Sequence, residues 1–164
     1  LHINPELVKR NPVLHYLMTN DLQYDSRSAF TLSLNHRDTF TGITDRDRSL
    51  TTRRFSELWT EITYTKLSEN ERMEALGKEF RTPGHIPVCR ESPGGLANRQ
   101  GHTELAVAVA RMAGLPPIVI GAEMLQPDGD AALSVEDARK YGEKHGIPFL
   151  SGEDILIASG LKRS

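Results

Sequence analysis

The chain has almost no cysteine: Cys89 is the only one in 164 residues. A single thiol excludes an intramolecular disulfide framework and a zinc site built from cysteines alone. No apolar run approaches the roughly 20 residues needed to cross a bilayer. The first residues lack a basic start followed by an apolar stretch, so no signal peptide is read. A reducing, cytoplasmic compartment is the default. Excess charge of one sign is missing too: 20 Lys and Arg stand against 22 Asp and Glu, a net charge of -2. A wholesale nucleic-acid binder is strongly basic, so that class is set aside. Internal repeats, low-complexity tracts and long linkers are also absent from the sequence. What is left is a globular composition, 38% apolar and 26% charged. The length suits one domain with a core and is too short for two ordinary ones.

The patterning predicts an α+β fold, with a mixed β-sheet packed against helices. Residues 7–18 read as a short helical piece, broken by Pro12. In residues 28–35, Phe30, Leu32 and Leu34 alternate with Thr31, Ser33 and Asn35, which predicts a half-buried strand. Leu50, Phe55, Leu58 and Ile62 recur at helical spacing and predict an amphipathic helix over 48–62, with Asp45 or Asp47 as its cap. A second helix over 70–76 is expected to stop at Gly77. Residues 86–90 read as a strand, followed by a Pro93-Gly94-Gly95 turn. The alanine-rich stretch 103–113 is apolar on most sides and reads as a buried helix ended by Gly114. Ile118-Val119-Ile120 reads as a strand covered on both faces. Ser134 and Ser151 are placed to cap two further helices, with a short strand at Phe149-Leu150 between them.

Three clusters could carry chemistry. Arg99-Gln100-Gly101-His102-Thr103-Glu104 lies where a glycine loop enters the alanine-rich helix. A helix start exposes unpaired N–H groups and a partial positive charge, which suits a phosphate or carboxylate. Arg99 adds a forked cation and Thr103 a hydroxyl donor; His102 at the mouth suits a metal or a proton. The plain alternative is that Thr103 caps the helix, Glu104 favours its first turn and Arg99 is solvated. In Thr82-Pro83-Gly84-His85, a histidine on a Pro-Gly loop is exposed on a stiff backbone. Glu123 follows the apolar strand directly, where α/β proteins place ligands; a structural ion pair is the competing reading. Residues 35–48 mix both charge signs and suit a solvated helix entrance better than a nucleic-acid patch. Cys89 reads as a small buried side chain.

In this order the motifs resemble the 3,4-dihydroxy-2-butanone 4-phosphate synthase family of riboflavin biosynthesis, and its archaeal branch most. The resembling residues are Ser28-Ala29-Phe30-Thr31 with Asn35-His36-Arg37; Thr41-Gly42-Ile43 with Asp47-Arg48 and Thr51; Phe80-Arg81-Thr82-Pro83-Gly84-His85; Arg99-Gln100-Gly101-His102-Thr103-Glu104; Glu123-Met124 with Asp128-Gly129; and Lys144-His145-Gly146 with Asp154-Ile155. The resemblance implies a lyase that converts D-ribulose 5-phosphate to L-3,4-dihydroxy-2-butanone 4-phosphate and formate. It implies Mg²⁺ as cofactor, with Mn²⁺ as the alternative, and a cytoplasmic homodimer with sites at the subunit interface. Carried over, His102 is the metal ligand. Arg99, Gln100, Gly101, His102, Thr103 and Glu123 bind substrate, and His85 and Glu123 serve the proton transfers. No nucleic acid or membrane is implied as a partner.

Two departures qualify the resemblance. Many members place an arginine directly before Pro-Gly, whereas this chain has Arg81-Thr82-Pro83. The family also carries an N-terminal acidic motif of the type Asp-x-Glu-x-Glu-Gly-Asp, which supplies the other metal ligand. Residues 1–164, opening on Leu1, resemble a single catalytic domain without that first stretch. If that stretch precedes Leu1 the site is an ordinary one; if it is absent, the metal loses its carboxylate and no activity is expected. The alternative function is then a non-catalytic phosphosugar- or nucleotide-binding module.

Overall fold

The computed structural model describes residues 4–17 and 29–162. The chain divides into two compact units, residues 1–92 and 93–164.

In the first unit, helix α1 (Asn4–Arg10) and a 3-10 turn (Pro12–Leu17) precede strand β1 (Phe30–His36). Helices α2 (Asp45–Thr63) and α3 (Glu69–Glu79) follow, and α3 runs directly into strand β2 (Phe80–Cys89). Thr44 caps α2, its side chain accepting from the Asp47 N–H. The expected cap, Asp45 or Asp47, is therefore corrected: Asp47 turns its carboxylate elsewhere. Ser68 and Glu71 form a reciprocal capping box at α3. Gly77 does not stop α3, which continues for two more residues; it ends where the Glu79 carbonyl accepts from the Arg37 N–H at 2.8 Å and the chain crosses into β2.

Strands β1 and β2 pair antiparallel. Leu34, Leu58 and Phe80 are the buried centre, with Leu32, Phe55, Ile62, Ala75, Leu76 and Val88 packed around them. The Phe55 and Phe80 rings meet edge to face at 5.8 Å. The alternation read for 28–35 holds only in part, because the register slips. Phe30 faces Cys89 but Ser33 faces Pro87, so one extra residue sits on β1, and Phe30 is exposed while Asn35 and His36 are buried. A larger slip follows: Leu34 faces Ile86 and Asn35 faces Arg81. Residues 82–85 thus bulge out of β2 with no residue of β1 opposite them in the register. Cys89 is exposed and not a core side chain.

In the second unit, Pro93-Gly94-Gly95 makes the expected turn, with φ of 85° at Gly94. A 3-10 turn (Gly95–Ala97) leads to α4 (His102–Met112), and α5 (Val135–His145) and α6 (Gly152–Ala158) follow. Ser134 and Ser151 cap α5 and α6, and Gly146 closes α5 in the left-handed conformation. Leu96, Ala110 and Ile155 are buried. Helix α4 is only half-covered: Leu105, Val107 and Val109 are intermediate and Met112 is exposed. Residues 118–120 are not a strand, and Val119 and Ile120 are exposed; the 149–150 strand is also absent. The α+β class stands, but among the described residues the sheet is the β1–β2 pair and is antiparallel, not mixed. Met124 to Leu133 instead forms a small hairpin, with the Leu133 N–H donating to the Met124 carbonyl at 2.7 Å. Among the described residues no helix is long and apolar enough to cross a membrane.

Candidate functional site

In the first unit the candidate residue is His85, in the bulge of β2 and exposed. The sequence reading placed it on a loop between elements; the bulge gives the same exposure inside a strand. Gly84 makes the bulge possible. A Cβ at that position would lie 2.0 Å from the Leu34 carbonyl carbon and 2.3 Å from the Asn35 nitrogen. Its N–H donates to Ser33 Oγ at 3.1 Å. Behind His85 lies Asn35, 3% exposed. The Asn35 Oδ1 accepts from the His85 N–H at 2.8 Å, and Nδ2 meets the imidazole Nδ1 at 3.0 Å and the Thr41 carbonyl at 3.4 Å.

The segment under Asn35 is held by Asp47. Its Oδ2 accepts from the Gly42 N–H at 2.8 Å and the Thr41 N–H at 3.1 Å. Gly42 has φ of +91°, and a Cβ there would lie 2.0 Å from Asn35 Nδ2; both the turn and the amide's place need glycine. The Gly42 N–H, followed by those of Thr41 and Phe40 and by the Thr41 hydroxyl, holds the Asp47 carboxyl below its ordinary value of 3.8. A lowered native pKa stabilises the fold above the unfolded value, and the contribution disappears as pH falls through the native one. An Asp47→Asn variant is therefore expected to melt below the wild type at neutral pH, with the gap closing below about pH 4. A gap in Tm that stays constant down to pH 2 would remove Asp47 from this role.

Thr51, 1% exposed, ties α2 to β1: it accepts from the His36 N–H at 3.0 Å and donates to the Asp47 carbonyl at 3.0 Å. Three arginines of this region, Arg48, Arg53 and Arg54, are paired locally. Arg54 forks onto Glu79 at 2.7–3.0 Å, Arg53 meets Glu57 at 3.0 Å, and Arg48 meets Asp45 at 2.9 Å. His36 is buried, its Nδ1 accepting from the Asp38 N–H and its Nε2 3.6 Å from Glu79. Arg81 donates weakly to Thr39 at 3.4 Å.

In the second unit, α4 starts as the sequence predicts. Gly101 is its N-cap with no side-chain cap bond, so Thr103 is not the cap. His102 and Gln100 are exposed and Thr103 is half-buried. Arg99 is not a solvated side chain: its Nη1 pairs with Glu104 Oε2. Glu104 is 0% exposed. A Cβ on Gly101 would lie 2.3 Å from Arg99 Nη1, so glycine lets the guanidinium cross the loop into this pair. Glu123 is exposed on an irregular segment ahead of the hairpin, not at the end of a strand as read. It has neither the predicted structural ion pair nor any hydrogen bond among the described residues. Those residues contain no group of three His, Cys, Asp or Glu side chains able to hold a metal.

Sequence reasoning missed Asn35, placed on the polar face of β1, and the burial of Glu104. The spacing of Arg99 and Glu104 across the helix start was the one available signal for the latter.

Residues 8–158 match the family model of 3,4-dihydroxy-2-butanone 4-phosphate synthase. The chain is similar to the proteins of that name from Methanosarcina mazei, 49% identical over 84% of this chain and 53% of the relative. It is similar to those from Archaeoglobus fulgidus, 47% identical over 84% and 55%, and Methanothermobacter thermautotrophicus, 40% identical over 94% and 63%. The chain thus spans about half the length of the first two and under two thirds of the third. A crystal structure of a 3,4-dihydroxy-2-butanone 4-phosphate synthase in complex with two magnesium ions shares the fold. It has a TM-score of 0.60 and 22% identity, and the match covers 94% of this chain and 70% of that one.

Proposed function

This chain belongs to the 3,4-dihydroxy-2-butanone 4-phosphate synthase family, and on that premise we propose that the protein converts D-ribulose 5-phosphate to L-3,4-dihydroxy-2-butanone 4-phosphate and formate. The observation that carries the reading is the start of α4, where the family's Arg-x-Gly-His-Thr-Glu element forms a helix N-terminus without a side-chain cap. Its amides and partial positive charge suit the substrate's phosphate. Arg99, oriented by Glu104, adds a cation, and Thr103 a hydroxyl. Gln100, Gly101, His102 and Glu123 complete the substrate-binding set we assign.

Enolising a ketose phosphate requires a proton to leave carbon while an oxygen gains negative charge. We assign these steps to Glu123, a carboxylate, and His85, an exposed imidazole. Magnesium, with manganese as the alternative, belongs to the reading, and His102 is the ligand we assign. A magnesium ion prefers oxygen donors. One imidazole is not a magnesium site, and the described residues add no clustered carboxylates to it, so none of these steps is routed through the ion. The cytoplasm and a homodimer with interfacial sites complete the proposal, on the strength of the family resemblance.

The test is formate release from ribulose 5-phosphate and Mg²⁺ by the full-length protein carrying these residues. Turnover is expected, with His85→Ala lowering it by about 100-fold or more. Phosphosugar binding without any formate would overturn the lyase and leave a binding module in its place.

A further inference from the structure

The amide of Asn35 has two acceptors and one donor around it, and their arrangement leaves it one orientation. Its Oδ1 accepts from the His85 backbone N–H at 2.8 Å. Turning the amide over would set an NH₂ against that N–H, so the group facing His85 Nδ1 at 3.0 Å is the NH₂. An NH₂ donates and does not accept. The imidazole Nδ1 therefore carries a lone pair, and in the neutral ring the proton sits on Nε2. The second NH₂ hydrogen is directed at the Thr41 carbonyl, so neither hydrogen is left over in a residue only 3% exposed. Rotation is blocked as well, because Gly42 fits against the amide with no room for a Cβ. The ring nitrogen opposite Asn35 has no partner among the described residues, and His85 is exposed.

We propose that Asn35 is a positioning residue that fixes His85 as the Nε2–H tautomer, so that His85 meets the substrate as a hydrogen-bond donor to an oxygen and not as a proton-abstracting base. The inference deepens the lyase reading and rests on it for the substrate. A neutral imidazole N–H stabilises an oxygen that gains charge without losing its own proton. Proton abstraction from carbon then falls to a carboxylate, for which Glu123 is the assigned residue.

The tautomer is read directly in a long-range ¹H–¹⁵N correlation spectrum of the ¹⁵N-labelled protein, recorded where the ring is neutral. The His85 signals are identified by their loss in His85→Gln. The wild type is expected to show Nδ1 at the unprotonated position and Nε2 at the protonated one. Asn35→Asp replaces the donor with a carboxylate, which accepts from an Nδ1–H, so the two positions should exchange and turnover should fall by about 100-fold with KM little changed. The wild-type spectrum tests the tautomer even if that variant does not fold. Donor and base are separated at His85 itself. His85→Gln keeps an N–H and should lose about 10-fold in turnover, whereas His85→Glu, which offers only a carboxylate, should lose about 100-fold or more. A wild-type ring protonated on Nδ1, or a His85→Glu variant more active than His85→Gln, overturns the proposal. A wild type with the stated tautomer that releases no formate overturns the lyase reading and the donor role together, while the assignment of the proton stands on the spectrum.

Discussion

Replacing Gly84 by alanine is expected to destabilise the protein by at least about 4 kcal/mol, a large part of what holds a domain of this size together. The reason is space, not backbone conformation. The new Cβ would lie 2.0 Å from the Leu34 carbonyl carbon and 2.3 Å from both the Leu34 oxygen and the Asn35 nitrogen. Those atoms are backbone, with no flexible end to swing away. Relief requires β1 and β2 to part where Leu34 enters the core and Asn35 enters its hydrogen bonds. Both the Gly84 bond to Ser33 and the Asn35 bonds to His85 would be lost with the pairing. The effect is read from urea unfolding. A variant with an unchanged midpoint and slope would mean that the bulge shifts without loss, and that the close approach does not define it.

What could be read in the sequence was local. Ser134, Ser151 and Gly146 mark the ends of α5 and α6 because caps bond within three or four residues of themselves. The helix over 48–62 and the turn at Gly94 were legible for the same reason. The sheet was not. A strand exists only with a partner, and its period of two survives only if the register does. Two slips, one beside Phe30 and one beside Asn35, leave Phe30 exposed and Asn35 buried, although Leu34 keeps its place in the core. Residues 118–120 have the apolar content of a buried strand, but no strand among the described residues pairs with them. The functional residues divide in the same way. Arg99, His102, Thr103 and Glu123 stand out by type and by motif order. Asn35 acts on a ring 50 positions away, and no spacing rule reaches that far; only the motif order of the family put Asn35 and His85 into one reading.

Glu104→Ala should destabilise the protein by roughly 3 kcal/mol, because it removes one partner of a buried ion pair and leaves a void beside the other. Glu104 is 0% exposed in the first turn of α4, where a carboxylate is also favoured by the helix dipole. Arg99, whose side chain is 23% exposed, can regain some water when the carboxylate is gone, which keeps the expected loss at the low end of the range for broken buried pairs. Glu104→Gln keeps the shape and an acceptor and should lose about half as much. A double-mutant cycle with Arg99→Ala separates the pair from the packing, and a coupling of about 2 kcal/mol is expected. The same substitution tests the site. With the charge of the pair gone and Arg99 held across Gly101 only by a neutral acceptor, Glu104→Gln should raise the KM for ribulose 5-phosphate by about 10-fold while changing turnover less, since the phosphate is bound alike before and during the reaction. A coupling near zero would show that the pair does not set the stability of the helix start. An unchanged KM would show that Arg99 reaches the phosphate without Glu104 to aim it.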